Sequence, residues 1–97
     1  LVDDMIDTAG TIVKAADALH EQGASNVIAA ATHGVLSGPA AERLQNSRIS
    51  EVVITNSLPV PKERDFDKLT QLSIAPLLAK AINEVFSDGS VTSLFDG

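Results

Sequence analysis

The sequence predicts a small α/β domain with a parallel sheet flanked by helices, and three observations indicate it. Short apolar segments alternate along the chain with longer segments in which apolar residues recur every three or four positions. The short segments are rich in Val, Ile and Ala, and none approaches the roughly 18 apolar residues of a membrane span. The length of 97 residues fits one domain. Such alternation is typical of parallel strands joined by right-handed crossovers.

The first half of the chain predicts a strand, a helix and a second strand. Residues 1–2 form the end of a buried strand, and residues 5–10 connect it to a helix over residues 11–22. Gly23 ends this helix, because that position often needs a left-handed backbone. An apolar strand follows over residues 26–31.

The second half of the chain continues the alternation. In chain order we expect a short helix over residues 37–46, a strand over 51–55, an exposed connection over 56–68, a strand over 69–74, a helix over 75–87 and a final short strand or turn over 90–95. Ser37 is expected to cap the short helix. In the last helix Leu78, Ile82, Val85 and Phe86 share one stripe, which we expect to lie in the core.

Composition excludes several classes of function. Thirteen acidic and seven basic residues give a net charge of −6, which disfavours binding to nucleic acids. The chain contains no cysteine, so disulfides, thiol catalysis and thiolate zinc sites are excluded. No basic leader precedes an apolar stretch. We therefore expect a cytoplasmic protein with no membrane partner.

The chain is expected to be part of a longer polypeptide. It begins at Leu1, on an apolar pair typical of the end of a strand, and it has three Phe but no Trp or Tyr. A short chain with few large aromatic anchors buries little surface. We expect missing segments to complete the sheet.

One segment between the first strand and the first helix combines several polar groups. It contains three carboxylates (Asp3, Asp4 and Asp7), two hydroxyls and a glycine. In open α/β sheets, ligands bind beyond the carboxyl ends of the strands, and the first turn of a helix binds anions through its free N–H groups. The hydroxyls are those of Thr8 and Thr11, and with Ala9 and Gly10 between them they can surround a phosphate.

The two aspartates at the start of this segment indicate a second feature of the ligand. Carboxylates repel phosphate but accept hydrogen bonds from hydroxyls and coordinate magnesium. A ribose 5-phosphate unit has a phosphate at one end and vicinal hydroxyls near the other. Solvated charges that favour the helix dipole are the alternative explanation. The segment has neither the Gly-Lys-Ser/Thr of a Walker loop nor the dinucleotide Gly-X-Gly-X-X-Gly pattern.

The segment Val-Asp-Asp-Met-Ile-Asp-Thr-Ala-Gly-Thr, residues 2–11, resembles the phosphoribosyl-diphosphate binding motif of the phosphoribosyltransferase-type fold. Its sequence is most similar to that of the ribose-phosphate pyrophosphokinase family. Three further segments agree, at residues 31–40, 53–59 and 90–95, so the resemblance extends over nearly the whole chain.

The resemblance implies a reaction and roles for individual residues. Members of the family transfer the diphosphoryl group of ATP to the C1 hydroxyl of ribose 5-phosphate, with Mg²⁺, and release AMP. Asp3 and Asp4 match acids that lie beside the ribose hydroxyls and can lie near Mg²⁺. Asp3 is the better candidate for direct contact with the sugar. Residues 7–11 match the loop that holds the 5-phosphate. The family's ATP-binding segments, catalytic loop and main magnesium ligands precede this motif. The resemblance therefore implies that the chain corresponds to the C-terminal part of one domain and has no catalytic residue of its own. We expect it to be inactive alone.

The resemblance also implies regulation and assembly. Ser90, Thr92 and Phe95 match residues that join a regulatory site for a nucleotide or phosphate, with ADP or phosphate as effectors. Family members usually form homo-oligomers. His33 either lines the pocket or orders the turn that follows its strand.

Two other functions remain open. One is a phosphoribosyltransferase that moves the sugar to a nucleobase. The other is a synthetase-associated regulatory subunit that keeps the fold without the activity. A lysine of the upstream catalytic loop would distinguish the second from an active synthetase.

Overall fold

The computed structural model describes residues 1–87, in which strands and helices alternate. In chain order the elements are β1 (Val2–Ile6), α1 (Gly10–Glu21), β2 (Val27–Gly34), α2 (Ala40–Gln45), β3 (Ile49–Thr55), a 3₁₀ turn (Lys62–Arg64), β4 (Leu69–Leu72) and α3 (Ala75–Phe86). The four strands form one sheet in the order β1-β2-β3-β4, and each neighbouring pair is parallel. The predicted α/β class is therefore confirmed.

The core lies between one face of the sheet and the helices α1 and α2. On the two central strands buried residues alternate with more exposed ones over residues 27–31 and 52–54, as the pleat requires. Its members are mostly small or β-branched, which lets the helices pack closely without aromatic anchors. The buried apolar residues are Ile6, Ala9, Ala16, Val27, Ala29, Ala31, Leu36, Ala40, Leu44, Ile49, Val52 and Ile54.

The first strand is longer than the sequence predicts, and it is an exposed edge strand where a buried one was expected. β1 continues to Ile6, so Asp3 and Asp4 lie within the strand, and only residues 7–9 connect it to α1. The cause is parallel pairing with β2, in which Asp3 lies beside Ala31 and Ile6 beside Gly34. Backbone pairing to a neighbour overrides the low strand propensity of aspartate.

The second short helix begins later than predicted, and Ser37 does not cap it. α2 begins at Ala40 after Pro39, with no hydrogen bond from a side chain to its first turn. The connection over residues 56–68 is mostly exposed, as predicted, although Val60 and Phe66 pack partly against the core.

The prediction that the stripe on α3 lies in the core is wrong. Leu78, Ile82, Val85 and Phe86 are between 51% and 86% exposed, and α3 has no buried residue. The periodicity correctly identified an amphipathic helix, but it does not specify what covers the apolar face. The predicted final strand, with Ser90, Thr92 and Phe95, lies outside the described residues.

The helices within residues 1–87 are short. α1 and α3 have 12 residues each, which is about 18 Å of helix, whereas a bilayer core needs about 30 Å. No helix in this part of the chain is both long and apolar enough to cross a membrane.

Candidate functional site

An open cleft of about 340 Å³ lies where β1 ends and α1 begins. It includes all but one of the residues that the sequence analysis assigned to a ribose 5-phosphate site, the exception being Asp4. Its lining residues are Leu1, Val2, Asp3, Met5, Ile6, Asp7, Thr8, Ala9, Gly10, Thr11, Ile12 and Ala15. Asp3 and the whole loop between β1 and α1, residues 7–9, thus line the same cleft.

The backbone at the start of α1 has free hydrogen-bond donors. Ala9 has a left-handed backbone (φ 68°), and its carbonyl accepts the N–H of Val13 at 3.1 Å. The N–H groups of Gly10, Thr11 and Ile12 have no acceptor within residues 1–87, and no side chain caps the helix. A left-handed residue followed by a helical one makes successive N–H groups converge, and such groups bind anions.

Side chains add donors to the same place. Thr8 and Thr11 are exposed, and their hydroxyls have no partner within the described part of the chain. These hydroxyls and the N–H groups lie at the positive end of the α1 dipole, where negative charge is favoured. The arrangement can bind a phosphate.

Backbone hydrogen bonds fix this loop to its neighbour after β2. The Ile6 carbonyl accepts the N–H groups of Val35 and Leu36, each at 3.0 Å, and the Asp7 carbonyl accepts the N–H of Ser37 at 2.9 Å. Leu36 is fully buried and has a left-handed backbone (φ 53°). The two loops are therefore joined at the carboxyl edge of the sheet, which limits movement of the donor groups.

The carboxylate of Asp3 is held in its ionised form. Its pKa lies below the usual range because of a hydrogen bond with the Asp4 side chain, then hydrogen bonds from the backbone N–H groups of Asp4 and Met5. The Asp4 N–H lies 2.7 Å from Asp3 Oδ1. Asp3 thus provides an acceptor for hydroxyl groups in the same cleft as Thr11.

The described residues do not form a complete metal site. Asp3, Asp4 and Asp7 provide oxygen donors of the kind Mg²⁺ prefers. However, no group of three or more His, Asp or Glu in residues 1–87 is placed to hold an ion. One or two of these carboxylates can still contact a Mg²⁺ ion that is bound mainly by the phosphates of a substrate.

His33 takes part in a polar network at the ends of β2 and β3. Its Nδ1 lies 2.7 Å from Ser57 Oγ, and Ser57 and Thr55 donate to the Thr32 carbonyl at 3.3 and 2.6 Å. His33 does not line the cleft. These contacts favour the role in ordering the turn.

Sequence reasoning missed Arg43, which contacts the loop from α2. Its Nη1 donates to the Thr8 carbonyl at 3.2 Å, across a separation of 35 positions. No motif spacing could have indicated this contact, because it depends on how α2 packs beside α1.

Together these features define an α/β domain with a turn of free N–H groups after its first strand. The family model of the phosphoribosyl synthetase-associated domain matches residues 1–96, and the chain belongs to this family. It is 68% identical over 96 residues to a ribose-phosphate pyrophosphokinase of Streptomyces avermitilis and 60% identical over 97 residues to one of Mycobacterium tuberculosis. These alignments cover 99% and 100% of this chain, respectively, and 30% of each relative. The resemblance to the ribose-phosphate pyrophosphokinases is confirmed.

A solved structure agrees with this assignment. The crystal structure of phosphoribosylpyrophosphate synthetase from Mycobacterium smegmatis superimposes with a TM-score of 0.88 at 56% identity, covering 92% of this chain and 30% of that one. The chain therefore spans about 30% of the length of the proteins it matches.

Proposed function

We propose that the chain is the C-terminal part of a ribose-phosphate pyrophosphokinase and supplies its ribose 5-phosphate binding loop. The complete enzyme would transfer the diphosphoryl group of ATP to the C1 hydroxyl of ribose 5-phosphate, giving phosphoribosyl diphosphate and AMP. Identity of 60–68% over essentially the whole chain to proteins of that name supports this proposal.

The observation that most favours the proposal is the free donor set at the start of α1. The N–H groups of Gly10, Thr11 and Ile12 and the hydroxyls of Thr8 and Thr11 line one cleft without acceptors of their own within residues 1–87. A dianionic 5-phosphate would satisfy these donors and the helix dipole together.

The sugar end of the ligand would lie toward Asp3. An ionised carboxylate accepts hydrogen bonds from vicinal hydroxyls, and an exposed aspartate such as Asp3 is ionised at neutral pH. The backbone N–H of Asp4 donates to Asp3 Oδ1 and stabilises its ionised form. In this proposal the loop orients the sugar so that its C1 hydroxyl meets ATP, and positioning of this kind accounts for much of the rate enhancement of phosphoryl transfer.

The rest of the enzyme would supply ATP and its metal. When bound, Mg²⁺ would neutralise charge on the transferring phosphates. Asp3 and Asp4 would be near it without forming its main ligand set, in keeping with the donor groups of residues 1–87. We further propose a cytoplasmic homo-oligomer with ADP or phosphate as effectors, acting through Ser90, Thr92 and Phe95.

Substrate profiling of the complete protein tests the proposed reaction. Purified enzyme is given ATP with ribose 5-phosphate and, separately, a nucleobase with phosphoribosyl diphosphate. We expect AMP and phosphoribosyl diphosphate in the first assay only. Turnover in the second assay alone would indicate a phosphoribosyltransferase, and turnover in neither would indicate a regulatory subunit.

A further inference from the structure

We propose that Arg43 is a positioning residue that sets the direction of the Ala9 N–H in the loop at residues 7–9. The inference rests on the proposed function, because it concerns how this loop binds the phosphate of ribose 5-phosphate. Arg43 lies on α2, outside the motif that resembles the family's binding segment.

The position of Arg43 is fixed by the packing of its helix. Ala40 and Leu44, on either side of it in α2, are fully buried. Its side chain is exposed and donates through Nη1 to the Thr8 carbonyl at 3.2 Å. Within residues 1–87 it forms no ion pair, so no carboxylate competes with that carbonyl for the guanidinium.

The bond to the Thr8 carbonyl determines where the next N–H points. A peptide unit is planar, and in the trans form its C=O and N–H point in opposite directions. When Arg43 draws the Thr8 carbonyl toward α2, the N–H of Ala9 is turned away from α2. This N–H has no acceptor within the described residues. Arg43 therefore favours the orientation in which Ala9 joins the donors at the start of α1.

Gly10 permits this contact. A Cβ added at Gly10 would lie 3.2 Å from Arg43 Nη1, closer than side chains normally approach. The backbone of Gly10 is helical, so its φ alone does not require glycine. The missing side chain leaves room for the guanidinium against the loop.

Charge favours the same role. Asp3 and Asp7 line the cleft and would repel a phosphate dianion. A cation beside the N-terminus of α1 is unfavourable with respect to the helix dipole, but its attraction to a phosphate bound at the loop has the opposite sign. Arg43 thus offsets the carboxylates once the phosphate is bound.

Steady-state kinetics of the complete synthetase test this inference. We expect Arg43→Ala to raise the KM for ribose 5-phosphate about tenfold, as for a lost hydrogen bond with a charged donor, and to change kcat and the KM for ATP less than about twofold. Arg43→Lys should recover part of the loss, since a lysine can still donate to the carbonyl.

Arg64 is the matched control, because its Nη1 also donates to a loop carbonyl, that of Val35, at 3.2 Å. Arg64→Ala should leave the KM for ribose 5-phosphate within about twofold.

A double-mutant cycle checks whether Gly10 acts through Arg43. Gly10→Ala should raise the same KM by displacing the guanidinium, and it should have little further effect in the Arg43→Ala background. Additive effects on this KM would contradict the link between Gly10 and Arg43.

If Arg43→Ala changes the KM for ribose 5-phosphate no more than Arg64→Ala does, the inference is overturned and the proposed function is not. A wild-type enzyme that does not use ribose 5-phosphate would overturn the proposed function as well.

Discussion

At the scale of single residues, Asp3 and Asp4 are adjacent in β1 but differ in position. Asp3 lines the cleft and Asp4 does not, although the resemblance assigned both to the sugar. The sequence identified the pair from its residue types, whereas the division of roles depends on the strand around them. We therefore expect the two positions to respond differently to substitution.

Asp3→Asn tests the sugar contact. Asparagine keeps the size of the side chain but removes the charge that strengthens hydrogen bonds from hydroxyls. The KM for ribose 5-phosphate should rise about tenfold or more in the complete enzyme, with a smaller change in the KM for ATP. The exposed Asp67, which lies outside the cleft, provides the control substitution Asp67→Asn. Equal effects at both positions would argue against a sugar contact at Asp3.

Asp4→Ala tests the cause of the lowered pKa of Asp3. The substitution removes the first contributor, the hydrogen bond with the Asp4 side chain, and keeps the backbone N–H contacts. The pKa of Asp3 should rise toward its ordinary value, which an NMR titration of the carboxyl carbon measures. In wild type, stabilisation from this ionised group is present above the pKa of the unfolded chain and lost as pH falls through the lower folded pKa. In Asp4→Ala the folded pKa moves toward that of the unfolded chain, so less stability should be lost as pH falls, and an unchanged pKa would exclude Asp4 as the cause.

At the scale of elements, the order of strands and helices follows from periodicity, but their ends do not. β1 contains Asp3 and Asp4 because β2 lies alongside it, and a local propensity includes no information about that neighbour. Arg43 meets Thr8 only after α2 has packed on the sheet. Conversely, the approximate position of the loop after β1 could be predicted from sequence, because polar residues there precede an amphipathic helix.

Close packing of β2 against β3 gives a prediction at this scale. Gly34 is buried at the end of β2, and a Cβ there would overlap the Ile54 side chain. Gly34→Ala should destabilise the protein by about 1–3 kcal/mol, measured by thermal or urea unfolding. Ile54→Val removes the terminal methyl nearest to the added Cβ, so the double variant should lose less stability than the sum of the two single variants. A simple sum would contradict the overlap.

At the scale of the whole molecule, residues 1–87 form only part of what the relatives contain. The chain spans about 30% of their length, and α3 exposes its apolar stripe. We expect the isolated chain to produce no phosphoribosyl diphosphate from ATP, Mg²⁺ and ribose 5-phosphate, because it has no ATP site in the proposed scheme. A coupled assay for AMP, with the complete enzyme as positive control, measures this. Turnover by the isolated chain would contradict the division of roles proposed above.

The most direct test of the central proposal is a crystal structure of the complete protein with ribose 5-phosphate. We predict that the phosphate lies within hydrogen-bond distance of the N–H groups of residues 9–12 and the hydroxyls of Thr8 and Thr11, with Asp3 against the sugar hydroxyls. A phosphate bound elsewhere, while this cleft contains only solvent, would contradict the proposed site.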